Sequence, residues 1–536
     1  MLRPQQQTRF LPLLTLAGAL IASPLLHAEE KSLRRLIDAE VRAAWQREKI
    51  VPAGRASDAA FLRRVYLDLA GTIPSRDETQ QFLQDTHANK RELLIDKLLA
   101  DARFSVHQAN VWDLVLFGRH PSNGEATRKR EGFTKWLADK FARNEPYDRW
   151  VRDLLLAEQP GTELFHVQYR NQPADAAVAV TRIFLGTQLQ CARCHDHPFE
   201  SWTQRDFYGM AGFFVRLVVI DKGNSAGQRR YAIGEKSTGE VLFTGAVKDQ
   251  KPGQKGEPIK AKFLGGPALE EKPPPKGFKE PALKPGKEMP RPSFSRKEKL
   301  AAWVTAPDNP YLARAVVNRV WAQFLGKGLV HPVDDLRETN APRQAELFKV
   351  MTDQLKSHQF DLKWLIRELV NSETYQLAAE GSVKDALPSW YERARVRPLS
   401  AEELAAAIQR AVAFDPAGRK MVTDARPYFL MYFGEPTNGR GEFQGRLSGH
   451  LFLNNSDHIR RMIQRRKGNL ADLLLVSKEP WERRVEQLFL SVLSRPPSGE
   501  ERKKFVAYLT TDGKPEVLVE EAIWVLLNTA EFRFNH

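Results

Sequence analysis

Cysteine is what this sequence has least of: two residues, Cys191 and Cys194, in a chain of 536. Two thiols cannot build the disulfide scaffold of a small secreted domain, so stability has to come from a packed core. Long apolar runs are also missing beyond about residue 28, and no later segment has the length and apolarity to span a bilayer. There is no phosphate loop, no H-E-x-x-H pair and no Ser-His-Asp order, and lone serines and acid pairs do not make a hydrolase. Acidic charge is in deficit. Lys and Arg number 81 against 66 Asp and Glu, a formal net charge of +15. In an exported chain such an excess suits anionic polysaccharide, a cell surface or a membrane surface, although most of the lysines read as a solvated coat.

The export argument rests on residues 1–28. Arg3 and Arg9 precede an apolar run over 10–26, which is short for a membrane helix and carries Pro24. Ala28 then offers a small residue before Glu29-Glu30-Lys31, so the pattern predicts a signal peptide cleaved near Glu29. The mature chain is expected in the periplasm or secreted, without a transmembrane segment and away from nucleic acid.

Both cysteines fall in Gln190-Cys191-Ala192-Arg193-Cys194-His195-Asp196-His197-Pro198-Phe199. In C-x-x-C-H each thiol suits one vinyl group of a haem, and the adjacent imidazole suits the iron, so the motif reads first as a site for haem c. Cys191 and Cys194 would attach the cofactor and His195 would be the proximal ligand. Asp196 and His197 are placed to orient His195 or to act as catalytic proton donors. Plainer roles are a helix cap for Asp196 and a surface histidine for His197. A sixth iron ligand would come from His107, His120, His166, Met210, His450 or His458. Three other readings stay open: a redox disulfide, a structural pair, or zinc or non-haem iron held by Cys191, Cys194, His195 and His197. The last would serve a metal-dependent hydrolase or a surface-binding module, although adjacent Cys194 and His195 make a closed tetrahedron awkward.

Periodicity predicts a mostly α protein in two helical halves, 29–219 and 295–536, joined by a small β-containing, Pro/Lys-rich insert over 220–294. Leu33, Leu36, Ile37, Val41 and Trp45 keep helical spacing. Ser75 with Glu78, and Ser400 with Glu403, read as capping boxes. A helix over 174–189 is expected to lead straight into the cysteines. A second, over 203–214, is expected to carry Phe207 and Phe213 which, with Trp202, would form an apolar wall. A further helix is expected over 301–325, and an irregular stretch over 428–455. Residues 230–233 and 241–244 read as a hairpin, and Phe263-Leu264-Gly265-Gly266 as an island that docks back. The run from Val65 to Ser75 also echoes the run from Leu488 to Ser498, and that from Leu98 to Phe104 echoes Leu526 to Phe532. This predicts a duplicated helical hairpin with Pro74 and Pro497 at equivalent turns. Leu369 to Tyr375 is a third echo of the second signal.

Longer stretches resemble a known family. Leu62-Arg63-Arg64-Val65-Tyr66-Leu67-Asp68-Leu69-Ala70-Gly71-Thr72-Ile73-Pro74 resembles the opening of the secreted planctomycete cytochrome-c-like domain. Gly186-Thr187-Gln188-Leu189-Gln190, the cysteine motif and Asp196-His197-Pro198-Phe199 resemble its centre. Asn309-Pro310, Asn318-Arg319-Val320-Trp321, Gly328-Leu329-Val330, Asp334-Asp335, Leu493-Ser494-Arg495-Pro496-Pro497 and the ending from Asn528 to His536 resemble the partner domain that usually follows. The resemblance implies a cytochrome-like motif in a family whose activity is largely unassigned. Together with the motif it suggests electron transfer or redox chemistry with a redox partner protein, in the service of polysaccharide breakdown.

Overall fold

The computed structural model describes Met1 and residues 32–119, 130–225, 228–243, 256–272, 274–281, 291–381, 387–434 and 447–536. The expected leader and His120 lie outside these residues. The described chain is mostly helical, with two-stranded sheets as its only pairs of named strands. No described helix is long and apolar enough to cross a membrane.

The Asp58–Ala70 helix is buried on every side and ties the molecule together. Phe61, Leu62, Val65, Tyr66 and Leu69 face one hydrophobic cluster, which runs from Leu33 to Tyr391 and so draws on chain before and after the insert. Leu67 and Ile73 face a second cluster, otherwise built from residues 399–532. Two arginines in this helix are buried as well. Arg63 donates to the carbonyls of Val492 and Phe532, and Arg64 to those of Tyr375 and Leu377. The Arg63 guanidinium thereby meets orphan carbonyls at two helix C-termini, which carry partial negative charge.

The echoed sequences take the same local form. Gly71 and Ser494 both have φ near +60, at +65 and +61. Pro74 and Pro497 follow three residues later, and Ser75 and Ser498 each open a helix with a full capping box to Glu78 and Glu501. Asp101 and Thr529 then cap the helices that begin at Ala102 and Ala530, the first 16 residues long and the second 4.

Four expectations change. The hairpin is Leu217–Ser225 with Gln228–Glu235, pairing Val219 with Ile233, while Val241–Phe243 pairs with Glu257–Ile259. The β-branched run Val218-Val219-Ile220 makes the first strand, inside what read as the end of the helical half. The expected 301–325 helix is two, Arg296–Val304 and Leu312–Leu325, because Asn309 Oδ1 accepts from the Tyr311 and Leu312 amides and starts the second. Of the stretch 428–455, residues 435–446 lie outside the described residues, and the rest is helical but for Gly434. Pro416–Phe433 and Leu447–Asn455 pack together through Phe429 and Phe452, with ring centroids 5.4 Å apart. The helix before the cysteines stops at Phe184.

The insert does dock. Phe263 is sandwiched between Phe213 and Trp303, 5.0 Å from each. Its Glu240 and Glu271 pair with the buried Arg216 and Arg296.

Candidate functional site

The Pro173–Phe184 helix starts with proline in its first turn, where a missing N–H leaves nothing unmet. Its small face, Ala176, Ala177, Ala179 and Val180, lets the Gln204–Ala211 and Leu312–Leu325 helices approach. At Gly186 the chain reverses with φ +64, and a Cβ there would lie 2.5 Å from Leu336 Cδ1. Glycine is therefore required twice over, by backbone conformation and by close approach.

A single 3-10 turn follows, Leu189–Arg193. Leu189 and Ala192 are fully buried and anchor it. Cys191 lies in this turn and Cys194 follows as its C-cap, and both are exposed and unbonded to each other. The turn is held from below: the Arg193 carbonyl accepts from Tyr208 Oη at 3.2 Å and Gln204 Nε2 at 3.3 Å.

His195 is exposed, with Nδ1 2.7 Å from the carbonyl oxygen of Asp196. A carbonyl only accepts, so Nδ1 carries the proton and Nε2 keeps an open lone pair. His197 is in the opposite state. Its Nδ1 accepts from the Phe199 amide at 3.3 Å, which leaves the proton of the neutral ring on Nε2. Its own amide donates to the Trp202 carbonyl at 2.7 Å and closes the loop. The Asp196 carboxylate accepts from the Gln204 amide at 2.9 Å, so its side chain caps a helix while its backbone carbonyl orients His195. Thr203 and Asp206 complete that N-terminus as a capping box, and Lys262 holds Asp206 at 2.6 Å.

The expected apolar wall is not a cavity wall. Phe207 and Phe213 are fully buried core residues. Trp202 is half-buried, and its indole N–H is buried without an acceptor. Phe199 stands exposed after the motif, with the Arg337 guanidinium 5.5 Å from its ring centre.

The described sixth-ligand candidates have local partners of their own. His166 is buried, bonds the Leu155 carbonyl at 3.0 Å, and is pushed down to about 4 by burial. Met210 is core. His107 packs beneath Gly71, and burial lowers its pKa. His450 contacts Asn454 and Arg533, and His458 lies on the Tyr428 ring, 4.4 Å between centroids. No group of three or more His, Cys, Asp or Glu side chains converges among the described residues.

Sequence reading missed the part played by the second half. Gln188 Nε2 donates to Asp334 Oδ1 at 2.9 Å, and Leu336 N–H to the Gly186 carbonyl at 2.9 Å. Gly186, Gln188 and Asp334 stand in motifs that the sequence displays, without any sign there that they touch. Asn318 builds the platform: fully buried, it bonds the Val330 amide and the Val330 and Val333 carbonyls.

The fold and motif thus define a helical protein whose exposed C-x-x-C-H turn is seated on a second helical half. Residues 36–218 match the family model PSCyt2, described as a protein of unknown function (DUF1549), and residues 296–414 match PSD1, a protein of unknown function (DUF1553). The two matches lie in that order along the chain, the first spanning the motif and the second the segment that supports it. No curated protein and no solved structure matches.

Proposed function

We propose that this chain carries one haem c at Cys191, Cys194 and His195, and works in electron transfer or redox chemistry outside the cytoplasmic membrane. One observation carries the reading: two free, exposed thiols three residues apart, one in a 3-10 turn and one capping it, are followed at once by an imidazole whose Nε2 is open. Each thiol would add its S–H across one vinyl double bond, the sulfur bonding one carbon and the hydrogen passing to the other, so no oxidant is consumed. The Asp196 carbonyl fixes the His195 tautomer, as second partners of metal-bound histidines commonly do. The unmet Trp202 N–H offers a donor beside the motif. Bound there, a haem supplies a one-electron couple or, with an open sixth position, activates peroxide or oxygen.

A zinc or non-haem iron site gains less from the geometry. His197 presents a protonated Nε2, and its Nδ1 is already engaged. The net charge of +15 and the expected leader favour work at an anionic polysaccharide or cell surface, with a redox partner protein. Two experiments test the proposal. Expression in a host that matures c-type cytochromes should give protein with a Soret band that survives acid–acetone extraction. N-terminal sequencing of the exported protein should begin near Glu29. Colourless protein with both thiols free would overturn the cofactor, and an intact residue 1–28 segment would overturn the cleavage.

A further inference from the structure

We infer that residues 334–337 of the second half are the positioning element of the motif loop, so that Cys191, Cys194 and His195 are held in place from across the chain. Three contacts bracket the motif. Before it, Leu336 N–H bonds the Gly186 carbonyl, at a left-handed turn where Leu336 leaves no room for a Cβ. Between that turn and the cysteines, Gln188 bonds Asp334, a carboxylate 3 % exposed whose other oxygen faces Arg182 Nε at 3.9 Å. After the motif, Arg337 sits over Phe199. Within the loop the Arg193 carbonyl, the Asp196 carboxylate and the His197 amide bond residues 202–208, but residues 190, 191, 193–196 and 198–199 are exposed, and between the Leu189–Arg193 turn and the Gln204–Ala211 helix there is no regular element. A short exposed loop keeps its geometry when both its ends are pinned to a rigid neighbour, and here that neighbour is the second half. This accounts for a second half that a simple carrier would not need.

The inference bears on the site of the proposed function, but its test uses haem-free protein. Hydrogen exchange over 186–199 and alkylation of Cys191 and Cys194 by iodoacetamide, resolved by mass spectrometry, are compared in full-length wild type, Asp334→Ala, Gln188→Ala and Asp334→Asn. Either alanine change should raise local exchange about fivefold, the factor that one lost hydrogen bond gives. It should also change the ratio of alkylation at the two thiols. The double variant should do no more than either single one, and the melting temperature of Gln188→Ala should stay near wild type. Asp334→Asn, which keeps an acceptor, should restore most of the protection. Unchanged exchange and alkylation in Gln188→Ala would overturn the inference, even if Asp334→Ala fails to fold. So would loosening spread over the whole chain. Absence of haem in the matured protein would instead refute the proposed cofactor and leave these readouts interpretable.

Discussion

The same capping box occurs at three depths, which makes it possible to ask what the buried version contributes. Glu403, Glu78 and Glu501 each accept from their own capping serine's N–H, and each is also gripped by arginine. Arg397 holds Glu403 with two bonds of 2.8 Å, and Arg495 holds Glu501 in the same way. Glu78 is shared by Arg410 at 2.7 Å and Arg103 at 3.1 Å. Their side chains are 4 %, 19 % and 34 % exposed for Glu403, Glu78 and Glu501. Burial alone would raise the Glu403 pKa, but the Arg397 charge and hydrogen bonds outweigh it and hold it at about 2. Against an ordinary 4.5, that corresponds to about 3 kcal/mol of stability at neutral pH. Glu403→Gln keeps an acceptor for the cap and removes the charge, so it should cost about 3 kcal/mol at pH 7. Glu501→Gln, well solvated, should cost under about 1 kcal/mol. Because the folded value is depressed, the contribution is complete above about 4.5 and is lost as the pH falls towards about 2. Urea unfolding followed by circular dichroism should show the gap between wild type and Glu403→Gln narrowing from pH 5 to pH 3. A gap of equal size at pH 3 and pH 7, or equal costs at positions 403 and 501, would refute the reasoning.

Asn318→Ala removes three hydrogen bonds from a fully buried amide and should lower stability by about 3 kcal/mol in thermal unfolding; a loss under about 0.5 kcal/mol would contradict it. Gly186→Ala should cost about 2 kcal/mol or more, because its φ is +64 and Leu336 occupies the Cβ position. Gly54→Ala, with nothing within 4 Å, is the control and should be near neutral. His195→Ala in matured protein should keep covalent haem but bind added imidazole more readily; complete loss of the cofactor would instead assign His195 to its retention.

Local chemistry was legible in the sequence wherever a side chain acts on its own neighbours. The capping boxes at Ser75 and Ser400, the duplicated turn with its two prolines and the apolar face of the Leu33–Glu48 helix all follow from spacing. So did the adjacency of Cys191, Cys194 and His195. What escaped was decided at long range. The Pro416–Phe433 helix holds Pro427 and ends beside a Gly- and Asn-containing run, yet packing against Phe452 makes its last turn helical. The first strand, Leu217–Ser225, straddles the expected boundary at 219–220, because its pairing with Gln228–Glu235 is set across a turn. The Pro/Lys-rich insert marked two helical halves but not that one hydrophobic cluster, from Leu33 to Tyr391, runs through both. The contacts of Asp334 and Leu336 with Gln188 and Gly186 lie about 150 residues apart in sequence and carry no periodic signature.

The central question is what Cys191 and Cys194 hold. The direct measurement is intact mass together with the absorption spectrum of the protein purified from a host that matures c-type cytochromes. The account predicts a mass increased by one haem that resists acid–acetone extraction, reduced to at most one thioether in Cys191→Ala and to none when Cys194→Ala is added. An unmodified mass, with zinc or iron in elemental analysis and that metal lost on His197→Ala as well as on His195→Ala, would contradict it.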